Sequence, residues 1–172
     1  VWLMAYTDID DPSAYFQTVL YTGNGSTKVV TIENFDKLGM AWIKQRDSTG
    51  FNLIQDTVRG DNRDLYVNTN DVEQVGHNWR VTSNTIDLQD SNGFWNGNNS
   101  TYASWNWSTT GTTTTNDASA TGIGTIDSVY QANTTAGFSI VTYTGTGSNG
   151  TVAHGLGVVP KFVIYKRRSA TE

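Results

Sequence analysis

One stretch of eleven residues occurs twice in the chain, and this recurrence constrains the fold more than any other feature. Residues 16–26 read FQTVLYTGNGS and residues 138–148 read FSIVTYTGTGS, an offset of 122 positions (143 − 21 for the two tyrosines). A return at a fixed period indicates repeated structural units, so we expect one full unit followed by the opening third of a second. Two basic residues keep the same offset without a gap: Lys44 with Lys166, and Arg46 with Arg168.

Short segments rich in β-branched and aromatic residues follow one another at spacings of roughly 8–12 residues, separated by Gly, Asn, Asp and Ser turns. This pattern predicts an all-β protein, an antiparallel β-sandwich or jelly roll of the lectin-like type, as a tandem repeat with the second copy truncated. The predicted strands are 1–6, 15–22, 28–32, 38–46, 51–56, 64–67, 79–82, 86–88, 93–95, 102–107, 123–130, 138–144 and 160–167.

Two local interpretations accompany this strand pattern. The turn residues at 23–27 lie between the strands 15–22 and 28–32, and they predict a hairpin. A short helix over 64–75 is an alternative to a strand, because Leu65, Val72 and Val75 lie near helical spacing. The Asn and Thr residues at 68–70 argue against this helix, since their side chains compete for backbone hydrogen bonds.

Changes in composition divide the chain into four segments. The third segment has almost no large apolar side chain, so it cannot bury enough surface to offset its ordering entropy. The strands of the last segment would lack the partners of their counterparts, and they would then pair with further chain or with another subunit. The segments are a lead-in strand and turn at 1–11, a β-sandwich domain at 12–107, a linker rich in Thr, Ser, Gly and Asn at 108–135, and the first strands of a second repeat at 136–172.

Charge and composition exclude several classes of function. The net charge is −5 and only 16% of residues are charged, against a typical quarter, so the predicted surface is mostly Thr, Ser, Asn and Gly. No run of Lys or Arg indicates nucleic-acid binding. The lack of cysteine excludes disulfides and thiolate metal sites. No apolar run approaches the ~18 residues of a membrane span. A chain that opens on Val1, already in an apolar run, is typical of a piece of a longer polypeptide.

The sequence predicts no catalytic residue, no metal site and no cofactor. Acidic side chains near Pro12 can chelate Ca²⁺, but turn capping is the favoured interpretation. A second acidic region follows Gly60 and is less favoured as a Ca²⁺ site than the first. Nothing in the sequence pairs two carboxylates across a cleft as a glycosidase requires. The two histidines lack the spacing of metal ligands and are predicted to be surface or turn residues. These residues are Asp8, Asp10 and Asp11 in the first region, Asp61, Asp64, Asp71 and Glu73 in the second, and His77 and His154.

Aromatic rings beside amides give the candidate binding site. Sugar rings stack on aromatic faces while amide groups bond their hydroxyls. This combination predicts a carbohydrate site formed by Trp79, Trp95, Asn96, Asn98 and Asn99. The alternative is that the tryptophans fill the core of the sandwich, which we favour for Trp105 and Trp107 because they share one face of a strand.

A succession of motifs resembles a known family over nearly the whole chain from about Pro12. The motifs are FQTxLYTGxGS from 16, WIKxR from 42, LIQDTVRG at 53–60, NGF at 92–94, YASWNW at 102–107, NTTAGFSIVTYTG at 133–145 and GLGVVPK at 155–161. Together they resemble a repeated domain of unknown function from large virion proteins of marine bacteriophages, including those of cyanobacteria. The resemblance implies a β-rich, lectin-like fold, often in tandem in tail-fibre-like proteins, and it brings no established catalytic residues.

The repeat and the resemblance together predict a non-enzymatic virion structural protein, a tail fibre, an appendage or a capsid decoration. The expected location is the extracellular particle, and the expected partners are other virion subunits and further copies of the chain. The alternative is a carbohydrate-binding module that recognises host surface glycans. A glycan depolymerase is the least favoured class, because no carboxylate pair is evident.

Overall fold

The computed structural model describes residues 9–169, so the predicted strand at 1–6 and Asp8 lie outside the described residues. The chain is nearly all β, with 39% strand and 4% helix. A 3₁₀ helix at Pro12–Ala14 precedes the first strand, and a short helix, α1, spans Ala118–Thr121. The strands are β1 (Phe16–Thr22), β2 (Lys28–Thr31), β3 (Leu38–Gln45), β4 (Asn52–Asp56), β5 (Arg63–Tyr66), β6 (Gln74–Val75), β7 (Trp79–Val81), β8 (Thr85–Leu88), β9 (Thr101–Ser108), β10 (Thr114–Asn116), β11 (Ser128–Asn133) and β12 (Phe138–Tyr143).

Two antiparallel sheets enclose the hydrophobic core. The larger sheet has six strands in the order β1-β9-β3-β4-β5-β6, and the smaller has three in the order β2-β8-β7. Both sheets contribute to one cluster of buried side chains, for example Ile43 and Leu53 from the first and Ile86 and Leu88 from the second. Two facing sheets that share a core are consistent with the predicted β-sandwich.

The central strands of the larger sheet carry tryptophans on the face that points away from this core. In β3, Ala41 and Ile43 belong to the core, so Trp42 points to the other face. In β9, Tyr102 belongs to the core. Trp105 and Trp107 lie an odd number of residues further along, so they point to the other face, and they are only half-buried. The prediction that Trp105 and Trp107 fill the sandwich core is therefore wrong. Strand periodicity places two residues on one face, but the second sheet decides which face is covered.

The turn at 23–27 does not close a hairpin, contrary to the prediction. It carries the chain from β1 in the larger sheet to β2 in the smaller one. Its backbone bonds to the loop before β9 instead, because the Gly23 N–H donates to the Ser100 carbonyl at 2.8 Å and the Gly25 N–H to the Asn96 carbonyl at 3.1 Å. The chain therefore changes sheets at this turn.

Residues 108–135, predicted as a linker, contain β10, α1 and all of β11, and β10-β11-β12 form a third antiparallel sheet. The side chain of Gln131 joins this sheet to the body of the protein. It is buried, accepts a hydrogen bond from Thr57 Oγ1 at 2.5 Å, and donates to the Gly111 carbonyl at 2.9 Å. The strand predicted at 123–130 begins later, at Ser128. Small polar residues form strands here because neighbouring strands take up their backbone groups.

Two predicted strands are not strands in the structure. Residues 93–95 lie in a turn in which the Asn92 carbonyl accepts from the N–H groups of Trp95 and Asn96. Residues 160–167 have no strand pairing within the described part of the chain, so their backbone polar groups lack a ladder. The helix considered over 64–75 is also absent, because β5 pairs with β4 and β6 there.

Candidate functional site

The two tryptophans of the predicted carbohydrate site lie inside the protein. Trp79 is 0% exposed and Trp95 is 1% exposed, and both belong to the hydrophobic core. Their indole N–H groups are also occupied, that of Trp79 by Asp64 Oδ2 at 3.0 Å and that of Trp95 by Asp90 Oδ1 at 3.0 Å. Neither ring offers a face on which a sugar can stack in this conformation.

The three asparagines of the predicted site hold the turn at 23–27 in place or lie beside it. Asn96 is fully buried, its Oδ1 accepts from the Asn24 N–H at 3.1 Å, and its Nδ2 donates to the Ser26 carbonyl. The N–H of Asn99 donates to the Gly23 carbonyl at 3.0 Å. Asn98 and Asn99 are exposed, whereas Asn96 faces inward, so the structure does not bring the three amides together around one cleft.

Gly23 packs tightly against the loop that carries Trp95 and Asn96. A Cβ at Gly23 would lie 2.2 Å from the Gly97 carbonyl oxygen and 2.9 Å from the Asn96 carbonyl carbon. Tyr21, two residues earlier, donates its hydroxyl to the Trp95 carbonyl at 2.8 Å and stacks on Tyr102, with ring centroids 5.0 Å apart. Burial strongly raises the pKa of Tyr21, so its hydroxyl stays protonated as the donor.

A buried polar cluster around Asp64 is the feature that the sequence did not reveal. Asp64 is 0% exposed and accepts from Gln55 Nε2 at 2.8 Å and from Trp79 Nε1 at 3.0 Å. Its Oδ2 also lies 2.5 Å from Nδ1 of His77, a residue predicted to be a surface or turn histidine. Burial raises the pKa of Asp64, and the hydrogen bonds from His77, Trp79 and Gln55 oppose that shift. The cluster ties β4, β5 and β7 together.

A second charged cluster forms around Glu73. Arg168 donates to both carboxylate oxygens of Glu73, at 2.9 and 2.8 Å, and Arg59 and Arg63 each reach it at 3.1 Å. Burial alone would raise the pKa of Glu73, but the hydrogen bonds from Arg168 and Arg59 outweigh it and lower the pKa to about 2. The N–H of Glu73 also donates to the Arg168 carbonyl at 2.9 Å. Glu73 is therefore the anchor for the end of the described chain.

The acidic residues near Pro12 serve the local backbone in this structure. Oδ1 of Asp11 accepts from the N–H of Ser13 at 2.9 Å and from its hydroxyl at 2.6 Å, which is the capping role favoured from the sequence. Among residues 9–169, no group of three His, Asp or Glu side chains is placed to hold a metal ion. No helix in the same range is long and apolar enough to cross a membrane.

The face of the larger sheet that points away from the core carries aromatic side chains. We call it the outer face and define it by Phe16, Leu20, Met40, Trp42, Trp105 and Trp107. Trp42 and Trp105 lie opposite each other on β3 and β9, with ring centroids 5.9 Å apart. Trp42 donates to Asn52 Oδ1 at 3.2 Å. Phe16 and Leu20 are 43% and 59% exposed, so this face is partly open to solvent.

The C-terminal segment (residues 158–168) is the most exposed apolar part of the described chain. Six large apolar side chains within eight residues are between 57% and 81% exposed. The segment is held at its far end, where Lys166 Nζ donates to the Thr69 carbonyl at 2.6 Å and Arg168 binds Glu73. Contiguous exposed apolar surface of this kind marks interaction sites on soluble proteins. The exposed side chains are Val158, Val159, Phe162, Val163, Ile164 and Tyr165.

Comparison with known families yields one match, a family described as Domain of unknown function (DUF7483), over residues 11–172. The chain belongs to this family. The matched range takes in the sandwich, the third sheet and the C-terminal segment. No curated protein and no solved structure matches the chain.

In this DUF7483 domain, the buried polar residues that the structure brings together differ from those that the sequence singled out. The sequence indicates Asp64 and Glu73 only as members of an acidic region, and Gln55 and Arg59 only as members of the motif LIQDTVRG at 53–60. The signal in the sequence is weak, because the polar residues Asp61, Asn62 and Arg63 directly precede Asp64. What assembles these side chains is the pairing of β4, β5 and β6, which no local pattern specifies.

Proposed function

We propose that this chain is a non-enzymatic structural protein of a bacteriophage virion, in which tandem β-sandwich units form a tail fibre, an appendage or a capsid decoration. Its location is the extracellular particle, and its partners are other virion subunits and further copies of the chain. The observation that carries the proposal is the C-terminal segment, whose exposed apolar side chains suit burial against a neighbouring unit. The recurrence of residues 16–26 at 138–148 supports the tandem arrangement, and the motif resemblance supports the virion.

The surroundings of the Asp64–His77 pair favour a role in stability over catalysis. A buried carboxylate that orients a histidine is also found in hydrolases, where the other ring nitrogen must reach a substrate proton. Here the His77 ring lies between Tyr66 and Trp95, with centroids 6.1 and 5.2 Å away, and its side chain is 24% exposed. The Asp64 carboxylate simultaneously accepts from Gln55 and Trp79. This arrangement suits a pair whose hydrogen bonds hold neighbouring strands together.

Mass spectrometry of purified particles tests the virion role. Virions released by cells that carry the gene would be banded on a density gradient, and their tryptic peptides compared with those of the whole lysate. We expect peptides of this chain to be enriched in the particle fraction, while a replication protein from the same lysate is depleted. A chain that is abundant in the lysate and absent from the particles would overturn the proposal.

Carbohydrate binding is a second candidate, favoured by the outer face and not by the buried Trp79 and Trp95. Trp105 and Trp42 are half-buried indoles on this face, and the Asn52 amide accepts a hydrogen bond from Trp42. Aromatic faces next to amides suit sugar stacking. On an array of bacterial surface polysaccharides we expect binding by the intact chain and weaker binding by Trp105→Ala, with Val75→Ala, an exposed position on β6, as the control. Lack of binding by the intact chain would exclude this candidate.

A further inference from the structure

The backbone of the C-terminal segment lacks the pairing that its sequence is suited to. Its large apolar side chains are exposed at both even-numbered and odd-numbered positions, for example Phe162 at 81% and Val163 at 73%. Within residues 9–169, no backbone group from 158 to 167 takes part in a hydrogen bond. A continuous apolar run is the pattern of a strand that is buried on both faces of a sheet. The segment therefore has the sequence of an interior strand without its neighbours.

The offset of 122 residues identifies the strand of the first unit to which the C-terminal segment corresponds. Residues 160–167 align with β3, and the aligned lysines and arginines, 44 with 166 and 46 with 168, are identical. In the larger sheet, β3 lies between β9 and β4 and pairs with both. The same offset aligns β12 with β1, whose ladder partner is also β9. Both aligned segments are thus counterparts of strands that flank β9.

The turn after β12 also lacks, within the described residues, the contacts that its counterpart after β1 makes. Gly23 needs to be glycine because a Cβ would meet the Gly97 carbonyl oxygen, whereas a Cβ at its counterpart Gly145 would meet nothing within 4 Å. Tyr143, the counterpart of Tyr21, has 43% of its surface exposed, although Tyr21 itself stacks on Tyr102. In the first unit, both contacts come from β9 and the loop before it. Tyr143 and Gly145 therefore have the chemistry to receive the same elements.

An open groove lies beside the end of β12. The groove, of about 590 Å³, is lined by the end of β12, the turn after it, Thr115 of β10, residues 125–129 in and before β11, and Arg168 at the far end of the C-terminal segment. In the order β10-β11-β12 of the third sheet, β12 is an edge strand, so one side of its backbone is free to accept a further strand. The groove therefore lies between the end of β12 and Arg168, the residue that ends the unpaired segment.

We propose that β12 and the C-terminal segment receive between them a β9-type strand, with its preceding loop, from another unit of the same family. This inference rests on the proposed tandem assembly and names the strands through which two units would contact each other. The strand would pair antiparallel with β12 as β9 pairs with β1, and its Trp-Asn-Gly loop would lie against Gly145 as residues 95–97 lie against Gly23. The C-terminal segment would take the position of β3, so that its backbone gains the ladder that it lacks. Units would be joined through continuous sheets.

A peptide with the sequence of residues 92–109 serves as the probe. It carries the loop and β9, and would be labelled with a fluorophore and added to the full 172-residue chain. Fluorescence anisotropy measures binding, and hydrogen exchange with mass spectrometry locates it. We expect saturable binding, with new protection of 138–144 and 160–168. A scrambled peptide of the same composition should bind at least about tenfold more weakly, since apolar content alone does not specify a register.

A matched pair of glycine variants tests the predicted contact. Gly145→Ala should weaken peptide binding by at least about fivefold, because its new Cβ would face a carbonyl as a Cβ at Gly23 would. Gly93→Ala, where a Cβ also meets nothing within 4 Å, should bind as the unaltered chain does. Equal affinities for the two variants would overturn the proposed docking of the loop.

Two further results would overturn the inference. The first is the lack of peptide binding by the intact chain. The second is protection of β1 in place of 138–144, which would mean that the peptide exchanges with the chain's own β9. Either result leaves the presence of the chain in virions untouched. Conversely, absence from virions would overturn the proposed function while leaving a measured strand pairing intact, so the two failures are distinguishable.

Discussion

Gly23 and Gly145 have the same sequence context and opposite surroundings, which makes them a matched pair for substitution. Gly23→Ala places a Cβ 2.2 Å from the Gly97 carbonyl oxygen, so the turn or the loop must move. We expect a loss of about 1–3 kcal/mol in the free energy of unfolding, typical of overpacking. Gly145→Ala should change it by less than about 1 kcal/mol. Urea titration followed by tryptophan fluorescence measures both, and equal losses would contradict the assignment.

Asp64 is the residue on which the buried polar cluster depends. Asp64→Ala leaves the indole N–H of Trp79, the amide of Gln55 and the ring of His77 without their shared acceptor. We expect a loss of about 3–5 kcal/mol, the usual effect of breaking a buried pair. Asp61→Ala, at an exposed position three residues earlier, is the control and should stay within about 0.5 kcal/mol. Thermal unfolding measures both, and a loss no larger than that of the control would refute the role of Asp64.

Residue periodicity predicted the faces of strands but not their environments. The alternation in β9 correctly placed Trp105 and Trp107 on one face, and that face points away from the sandwich core. Trp79 was considered both as a sugar platform and as a core residue, and its surroundings come from β4 and β5, which are distant in sequence. Composition cannot separate these cases, since an indole beside asparagines fits both a solvent-facing ligand site and a hydrogen-bonded core.

At the scale of elements, Glu73 fastens the C-terminal segment to the sandwich, and its titration sets the pH range of that contact. The pKa of Glu73 is lowered to about 2, from an ordinary value of 4.5. A group whose pKa is depressed on folding stabilises the fold above its unfolded pKa, and this contribution disappears as the pH falls toward the folded pKa. We therefore expect the stability that this contact contributes to be unchanged between pH 7 and 5 and to fall between pH 4.5 and 2, whereas the Glu73–Arg168 contact in the folded chain breaks only as the pH approaches about 2.

The Arg168 Nε–H resonance in NMR spectra reports this contact directly. In the bound state it should be shifted from the position of a free arginine, and it should move to that position over the acid range. Glu73→Gln is the control, because an amide cannot titrate there and its resonance should show no such transition. A transition centred at pH 5 or above, or one that persists in the Gln variant, would contradict the assignment to Glu73.

Turn residues predicted where the strands begin and end, but they did not predict which strands pair with each other. The predicted strands at 15–22, 28–32 and 102–107 correspond to β1, β2 and β9. The turn at 23–27 has Gly and Asn residues that suit a hairpin, yet it links two sheets because Asn96 and Ser100 accept its backbone N–H groups. Those acceptors lie about 75 residues away in sequence, beyond the reach of any local signal. The third sheet escaped prediction for the same reason, since its small polar strands depend on Gln131 and on one another.

For the whole molecule, the low content of charged residues and the exposed apolar segment both favour association between copies. Only 16% of the residues are charged and the net charge is −5, so electrostatic repulsion between copies is modest. The edge strand β12 offers unpaired backbone next to the exposed side chains of the C-terminal segment. Exposed edges and contiguous apolar surface both promote association unless a partner covers them. The isolated chain is therefore expected to self-associate as its concentration rises.

Two isoleucines with the same exposure allow this expectation to be traced to one surface. Ile164 and Ile123 are each 57% exposed, but Ile164 lies within the apolar C-terminal segment and Ile123 lies outside it. Ile164→Lys and Ile123→Lys each raise the net charge of −5 by one unit, so the change in repulsion is the same. Light scattering after size-exclusion chromatography should show less association for Ile164→Lys alone. Equal association of the two variants would mean that the C-terminal segment is not the associating surface.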